Sequence, residues 1–250
     1  MKTILESKRL IATSFWLLTL KRPDGYPEPQ PGQFIGVVCN GEEKPFSVAF
    51  VREESLIIVV EAKGEGTRWL INQLPRTEIE ISPKPLGNGF KLESGRRHLI
   101  VGGGIGVAPL LSVAQRISLL GSSSADAILC FTTKDKMILK YNFRMQSVDT
   151  SVATDDGSFG SSGRADVILR QRLEIDHQYD EILACGPKVM LKAVAEIAAE
   201  FGIPCQVCVE EYMLCMIGAC KGCAIDLVSG KGTVCKDGPV FDGEEVIWHD

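Results

Sequence analysis

The chain has 250 residues, 45% apolar and 24% charged, a size and composition that suit a soluble globular protein of about two domains. A net charge of −5 without any lysine/arginine cluster excludes a phosphate-tracking nucleic-acid surface. The most apolar window (99–120) contains five glycines or prolines plus Gln115 and Arg116, which argues against a membrane span, and "MKTILESKRL" lacks a secretory apolar core, so a cytoplasmic location is expected.

In chain order, the runs "SFWLLTLKRPDG", "GQFIGVVCNGEEKPFSVAFV", "SLIIVVEAKGEG" and "EIEISPKPLGNG" are strand-like and separated by Gly/Pro turns. They predict a small antiparallel β-barrel over residues 1–95. Within it, "TRWLINQL" (67–74) predicts a short helix with Thr67 as its cap. From about residue 97 the rhythm changes. "RHLIVGGG" reads as a strand and glycine turn, and "APLLSVAQRISLLG" as an amphipathic helix with Pro109 near its start and Gly121 past its end. Strand "AILCFTT", strand "TSVATDD", helix "ADVILRQRL", strand "EILACGP" and helix "KVMLKAVAEIAAEFG" follow. This alternation predicts a doubly wound parallel α/β domain over residues 96–204. Residues 205–250 form a third, cysteine-rich unit.

Nine cysteines in a chain without a secretory signal favour a metal or redox site over a disulfide framework. Four of them follow the pattern Cys215-x4-Cys220-x2-Cys223-x11-Cys235, the plant-type arrangement for a [2Fe–2S] cluster. Structural zinc prefers two separated pairs, so this spacing suits it less. Such a cluster is anionic, and backbone N–H groups directed at its sulfurs offset that charge. Gly218, Ala219 and Gly222 leave room for their approach. "AIDLV-SGKG-TVC" reads as a hairpin that returns Cys235 to the loop. Cys205 and Cys208 form a C-x2-C on a strand, where their side chains face opposite sides, so they read as ordinary strand cysteines. Cys39 and Cys130 read as small core residues.

"VGGGIGVAP" (101–109) departs from the G-x-G-x-x-G fingerprint at Val107. It still offers N–H groups and a helix N-terminus to a pyrophosphate, beside a second glycine turn at "ACGP" (184–187). In the first domain "KPFS" (44–47) and "KGEGT" (63–67) are candidate flavin contacts. Lys44 is suited to phosphate, Ser47 to a ring hydrogen bond, and Gly66 with Thr67 to a helix start. A solvated lysine, a turn proline and a capping threonine are the structural alternatives.

This order of motifs, ending in "CMIGACKGC" and "CKDGPVF", resembles the ferredoxin reductase superfamily. Within it, the chain is similar over nearly its whole length to the electron-transfer subunits of NAD-dependent (class 1B) dihydroorotate dehydrogenases. The resemblance implies FAD held by an Arg-Pro-x-Ser motif, here Lys44, Pro45, Phe46 and Ser47, by a strand at Val59, Val60 and Glu61, and by Gly66 and Thr67. It implies a [2Fe–2S] cluster on Cys215, Cys220, Cys223 and Cys235. It places NAD(H), as substrate, near Gly102, Gly103, Gly104, Gly106, Cys185, Gly186 and Pro187, with "TDDGS" (154–158) nearby. It further implies an FMN-containing catalytic subunit as partner in a hetero-oligomer, where dihydroorotate and orotate interconvert. Two residues depart from the family pattern. Lys44 replaces arginine, a point charge for a bidentate fork, and Lys84 replaces glycine in "KPLGNGF".

Two other readings remain open at this level: a reductase subunit serving sulfur metabolism or ferredoxin exchange, and a non-catalytic redox-sensing module. No acid–base constellation is visible, and the three histidines (98, 177, 249) are scattered.

Overall fold

The computed structural model of the chain describes residues 1–249, and their first third curls into an antiparallel sheet. Its strands are β1 (Lys2–Ala12), β2 (Phe15–Lys21), β3 (Phe34–Cys39), β4 (Glu42–Val51), β5 (Ser55–Glu61) and β6 (Glu78–Glu80), in the order β3-β4-β5-β2-β1-β6. A bridge between Val37 and Ile81 brings the β6 end back to β3 and nearly closes the barrel. Alternate residues of these strands, among them Leu18, Leu20, Ile35, Val37, Ile58 and Val60, fill its core.

β1 is missing from the sequence patterns for a physical reason. A register shift between Leu5 and Ser7 breaks its alternation, and Lys2, Glu6, Lys8 and Arg9 interrupt its apolar positions. The short helix α1 (Glu65–Asn72) begins two residues before the predicted start. Gly64 is its N-cap, and Thr67 works from inside the first turn, its hydroxyl accepting the N–H groups of Lys63 and Gly64, both at 3.1 Å.

The second sheet contains β7 (Arg97–Gly103), β8 (Ser124–Phe131), β9 (Asp149–Thr154), β10 (Ser161–Ser162), β11 (Glu181–Cys185), β12 (Cys205–Cys208) and β15 (Val240–Asp242). Their order is β10-β9-β8-β7-β11-β12-β15, parallel except for β15 at the edge. Helices α2 (Val107–Leu119), α4 (Ala165–Ile175) and α5 (Lys188–Glu200) connect the strands as the periodicity predicts. The one-and-a-half-turn α3 (Lys140–Met145), entered through a left-handed Leu139, has no sequence signal of its own. β12 and β15 lie beyond residue 204 yet extend this sheet. The cysteine loop and the hairpin of β13 (Ala224–Leu227) and β14 (Gly230–Thr233) stand outside it.

Two buried or half-buried glutamines fasten the units together. Gln115 on α2 donates to the Val51 carbonyl at 2.6 Å and accepts the Val51 N–H at 3.1 Å, tying α2 to the barrel. Gln206 on β12 makes the same double contact with Lys91 (2.8 and 3.0 Å) and also donates to Glu181 at 2.6 Å. Phe15, Ala49 and Val59 of the barrel share one apolar cluster with Val107, Ala108 and Leu111 of α2, so the groove between the units has fixed walls. Among the described residues no helix is long and apolar enough to cross a membrane.

Candidate functional site: a cleft joined to a four-cysteine loop

Backbone pairing opens the cleft. β4 and β5 pair only at Val48–Val51 with Leu56–Ile58, and beyond Val48 and Ile58 they diverge. Pro45, Phe46 and Ser47 pair with β3 on one side, and Val59, Val60 and Glu61 pair with β2 on one side. Their other edges face an opening of about 860 Å³, within the usual range for a small-molecule site. Proline suits such an edge because it has no N–H to lose. Lys44, Pro45, Phe46, Ser47, Val59 and Glu61 line the cleft. Val60 does not. Its side chain is fully buried in the barrel core, as strand alternation requires, so only its backbone can face a ligand.

Thr67 lines the same wall, but its hydroxyl is engaged by the helix cap. Gly66 lies behind Lys44. A Cβ on Gly66 would come within 2.2 Å of the Lys44 Cε, so the missing side chain lets the lysine stem run across the start of α1. The Lys44 ammonium pairs with Glu42 at 2.8 Å, and this hydrogen bond raises its pKa above the ordinary lysine value. Lys84, the other departure, is exposed on a turn away from the cleft lining.

The opposite wall is the carboxyl end of the parallel sheet, where Gly106, Cys185, Gly186 and Pro187 line the cleft. Gly102, Gly103 and Gly104 do not reach it. Gly102 packs beneath Val107 and Leu110, Gly103 against Met190, and Gly104 is a left-handed turn residue (φ +54°) in open space. Cys185 and Cys208 are register partners on β11 and β12, and both line the cleft. A hydrogen bond to Cys208, followed by burial, holds the Cys185 thiol well above the ordinary cysteine value.

The third wall is the strap after β12. Val209, Glu210, Glu211, Tyr212, Met213 and Leu214 line the cleft, and the next residue is the first cysteine of the loop. Sequence reasoning missed this wall. Its only signal was position, directly before Cys215.

Cys215, Cys220 and Cys223 lie on the loop after the strap, and the β13–β14 hairpin brings Cys235 back to it, where its sulfur meets the Gly218 N–H. Each sulfur accepts at least one backbone N–H: Cys215 from Cys220 (3.4 Å), Cys220 from Gly222 (3.4 Å), Cys223 from Cys235 (3.4 Å) and Cys235 from Gly218 (3.1 Å). Two of the donors are glycines, and Met216, Gly218 and Lys221 take left-handed conformations that wrap the loop around the sulfurs. The N–H of Cys220, then that of Ile217, hold the Cys215 thiol down to about 6. Among the described residues no three His, Cys, Asp or Glu side chains close on a single point as one metal ion requires. The Cys215 thiol is within hydrogen-bond reach of the Cys220 thiol, and the Cys235 thiol of the Cys223 thiol, two pairs that fit two irons sharing four thiolates.

Comparison with known proteins agrees with this geometry. The iron–sulfur cluster binding domain of dihydroorotate dehydrogenase B matches residues 210–247. The electron transfer subunit of dihydroorotate dehydrogenase B (NAD(+)) from Caldanaerobacter subterraneus subsp. tengcongensis is 36% identical over 255 residues, 99% of this chain and 98% of that protein. The corresponding subunit from Bacillus caldolyticus is 38% identical over 96% of each chain. Among solved structures, that of an NADH-dependent reduced ferredoxin-NADP oxidoreductase superposes with a TM-score of 0.88 at 28% identity, covering 98% of this chain and 90% of that one. Phthalate dioxygenase reductase shares the fold, with a TM-score of 0.68 at 20% identity over 92% and 87% of the two chains. With matched identity above one third across almost its full length, the chain belongs to the family of dihydroorotate dehydrogenase B (NAD(+)) electron transfer subunits.

Proposed function

We propose that the chain carries electrons between NAD(H) and an FMN-containing dihydroorotate dehydrogenase catalytic subunit, through FAD in the cleft and a [2Fe–2S] cluster on the cysteine loop. The observation that carries this reading is adjacency: Leu214 lines the cleft and Cys215 is its neighbour in the chain. When bound, the flavin converts a two-electron hydride exchange into the single-electron traffic that an iron–sulfur cluster accepts. The cytoplasm is the compartment this reading assigns.

The residues present fit these groups. Residues 1–95 supply the flavin wall. The unpaired edges of Pro45–Ser47 and Val59–Glu61 offer backbone hydrogen bonds to the ring, and Ser47 adds a hydroxyl. Lys44, released from Glu42, and the first turn of α1 at Gly66 and Thr67 take the phosphates. Lysine contacts them as a point charge rather than a fork, so looser phosphate binding than with arginine is expected. Residues 96–204 supply the nucleotide wall at Gly106 and Cys185–Pro187, with Gly102, Gly103 and Gly104 shaping the turn behind it. In residues 205–250, Cys215, Cys220, Cys223 and Cys235 ligate the irons, and the four N–H···S contacts offset their added negative charge on reduction. Exposed Leu214, just before the loop, and Ile217, within it, give the catalytic subunit an apolar landing.

The test uses the purified chain. NADH should bleach both flavin and cluster absorbance, and addition of the FMN subunit should give dihydroorotate-dependent NAD reduction. A colourless, iron-free preparation overturns the relay. Bleaching without any gain from the FMN subunit overturns the pyrimidine assignment and favours ferredoxin as the electron partner, a reading to which the oxidoreductase superposition lends weight.

A further inference from the structure

Tyr212 is 75% exposed although it lines the cleft. Both of its neighbours are held in place: Glu211 is ion-paired with Lys188 at the start of α5, and Met213 is buried in the α/β core. The strap therefore keeps the ring standing at the cleft with open faces. A tyrosine held this way presents a flat π surface while having only two side-chain torsions to immobilise.

We propose that Tyr212 is a stacking platform for the isoalloxazine ring of the flavin, holding that ring beside the strap that leads to the cluster. The inference rests on the reading that the cleft binds FAD. Position selects the isoalloxazine over the adenine. Tyr212 precedes Cys215 by three residues, at most about 10 Å of chain. The unpaired barrel edge and the Cys185–Pro187 turn form the other two walls. A ring that must exchange electrons with both a nicotinamide and the cluster belongs where these three walls meet, whereas the adenine has no such requirement.

The experiment measures the affinity of the full-length, cluster-loaded, flavin-stripped chain for FAD and for riboflavin, which lacks the adenine and phosphates. Tyr212→Ala is expected to lose about tenfold in affinity for both ligands, the scale of one aromatic stacking contact, while Tyr212→Phe stays within about twofold. Unchanged cluster absorbance in both variants shows that the loop is intact. A loss confined to FAD places the ring against the adenine or phosphates and overturns the proposal. Equal losses in the Ala and Phe variants make the hydroxyl, not the ring, the contact and overturn it as well. No loss in either variant leaves Tyr212 outside the flavin site, with the same result. A wild-type chain that binds neither ligand overturns the flavin reading itself, and no variant is needed to see it.

Discussion

Gly106 is where the two glycine turns of the nucleotide wall touch, and replacing it with alanine puts this contact to the test. A Cβ there would lie 2.5 Å from the Cys185 carbonyl oxygen and 2.6 Å from both the Cys185 carbonyl carbon and the Gly186 nitrogen. All three are backbone atoms, so no rotamer change relieves the clash. To reach ordinary contact the β7–α2 and β11–α5 turns must part by about 1 Å, and overpacking of this kind costs about 1–3 kcal/mol. Gly106 already has helical torsions (φ −61°, ψ −13°), so the whole cost is steric. Two neighbours serve as controls. Gly103→Ala meets the Met190 sulfur at 2.4 Å, but that side chain is flexible, and less than about 1 kcal/mol is expected. Gly104→Ala meets nothing and costs about 1 kcal/mol through its positive φ alone. Urea unfolding of the three variants gives the ranking, and NADH titration should show weakened binding in Gly106→Ala because the floor of the cleft has moved. If Gly106→Ala is no less stable than Gly103→Ala, the backbone contact is not what fixes the two turns, and the reasoning fails.

Replacing Cys235 by serine should reduce iron and sulfide from about two of each per chain to near zero, measured by metal analysis and loss of visible absorbance. His98 is fully buried with no hydrogen-bond partner on either ring nitrogen, and its Nδ1 is 3.5 Å from Glu181. His98→Phe should therefore unfold no earlier than wild type and gain up to about 1 kcal/mol, whereas His98→Ala should lose about 2–4 kcal/mol to a cavity. Burial pushes the Cys39, Cys130 and Cys205 thiols up to about 12, so iodoacetamide should leave all three unlabelled at neutral pH, as peptide mass spectrometry would show. The Gln178 N–H and Arg97 hold the Asp176 carboxyl below its ordinary value, so its contribution to stability is present above about pH 4 and fades as pH falls through the depressed value. The difference between wild type and Asp176→Asn in denaturant midpoint should vanish on the same acid limb.

What the sequence revealed and what it hid divides along the range of the interactions. The cysteine loop was legible because its geometry is local: the four cysteines, their small spacers and the returning hairpin all lie within 215–235. The parallel sheet was legible from its alternation of strands and helices. Val60 offers the cleft only its backbone, because period-two alternation turns its side chain to the face opposite Val59 and Glu61, into the barrel core. The strap was hidden because a cleft wall is not a local property. Tyr212 faces the opening only because β12 pairs beside β11 and ends at the same edge of the sheet. "PLGNGF" and "CKDGPVF" show the same division. As sequence they marked a family, some 150 residues apart. In the fold they meet: the Asn88 N–H donates to the Gly238 carbonyl at 2.6 Å, its side chain donates to the Asp237 carbonyl at 2.9 Å, and Gln33 on the barrel donates to the Gly87 carbonyl at 2.7 Å. These contacts run from the barrel through Gly87 and Asn88 to the turn just after Cys235. Four cysteines can hold a cluster anywhere. The Asn88 tether, with the β12–β15 pairing and the Val209 N–H to Pro239 carbonyl bond, fixes the turn after Cys235 against the barrel and the sheet, and electron transfer depends on where that places the cluster.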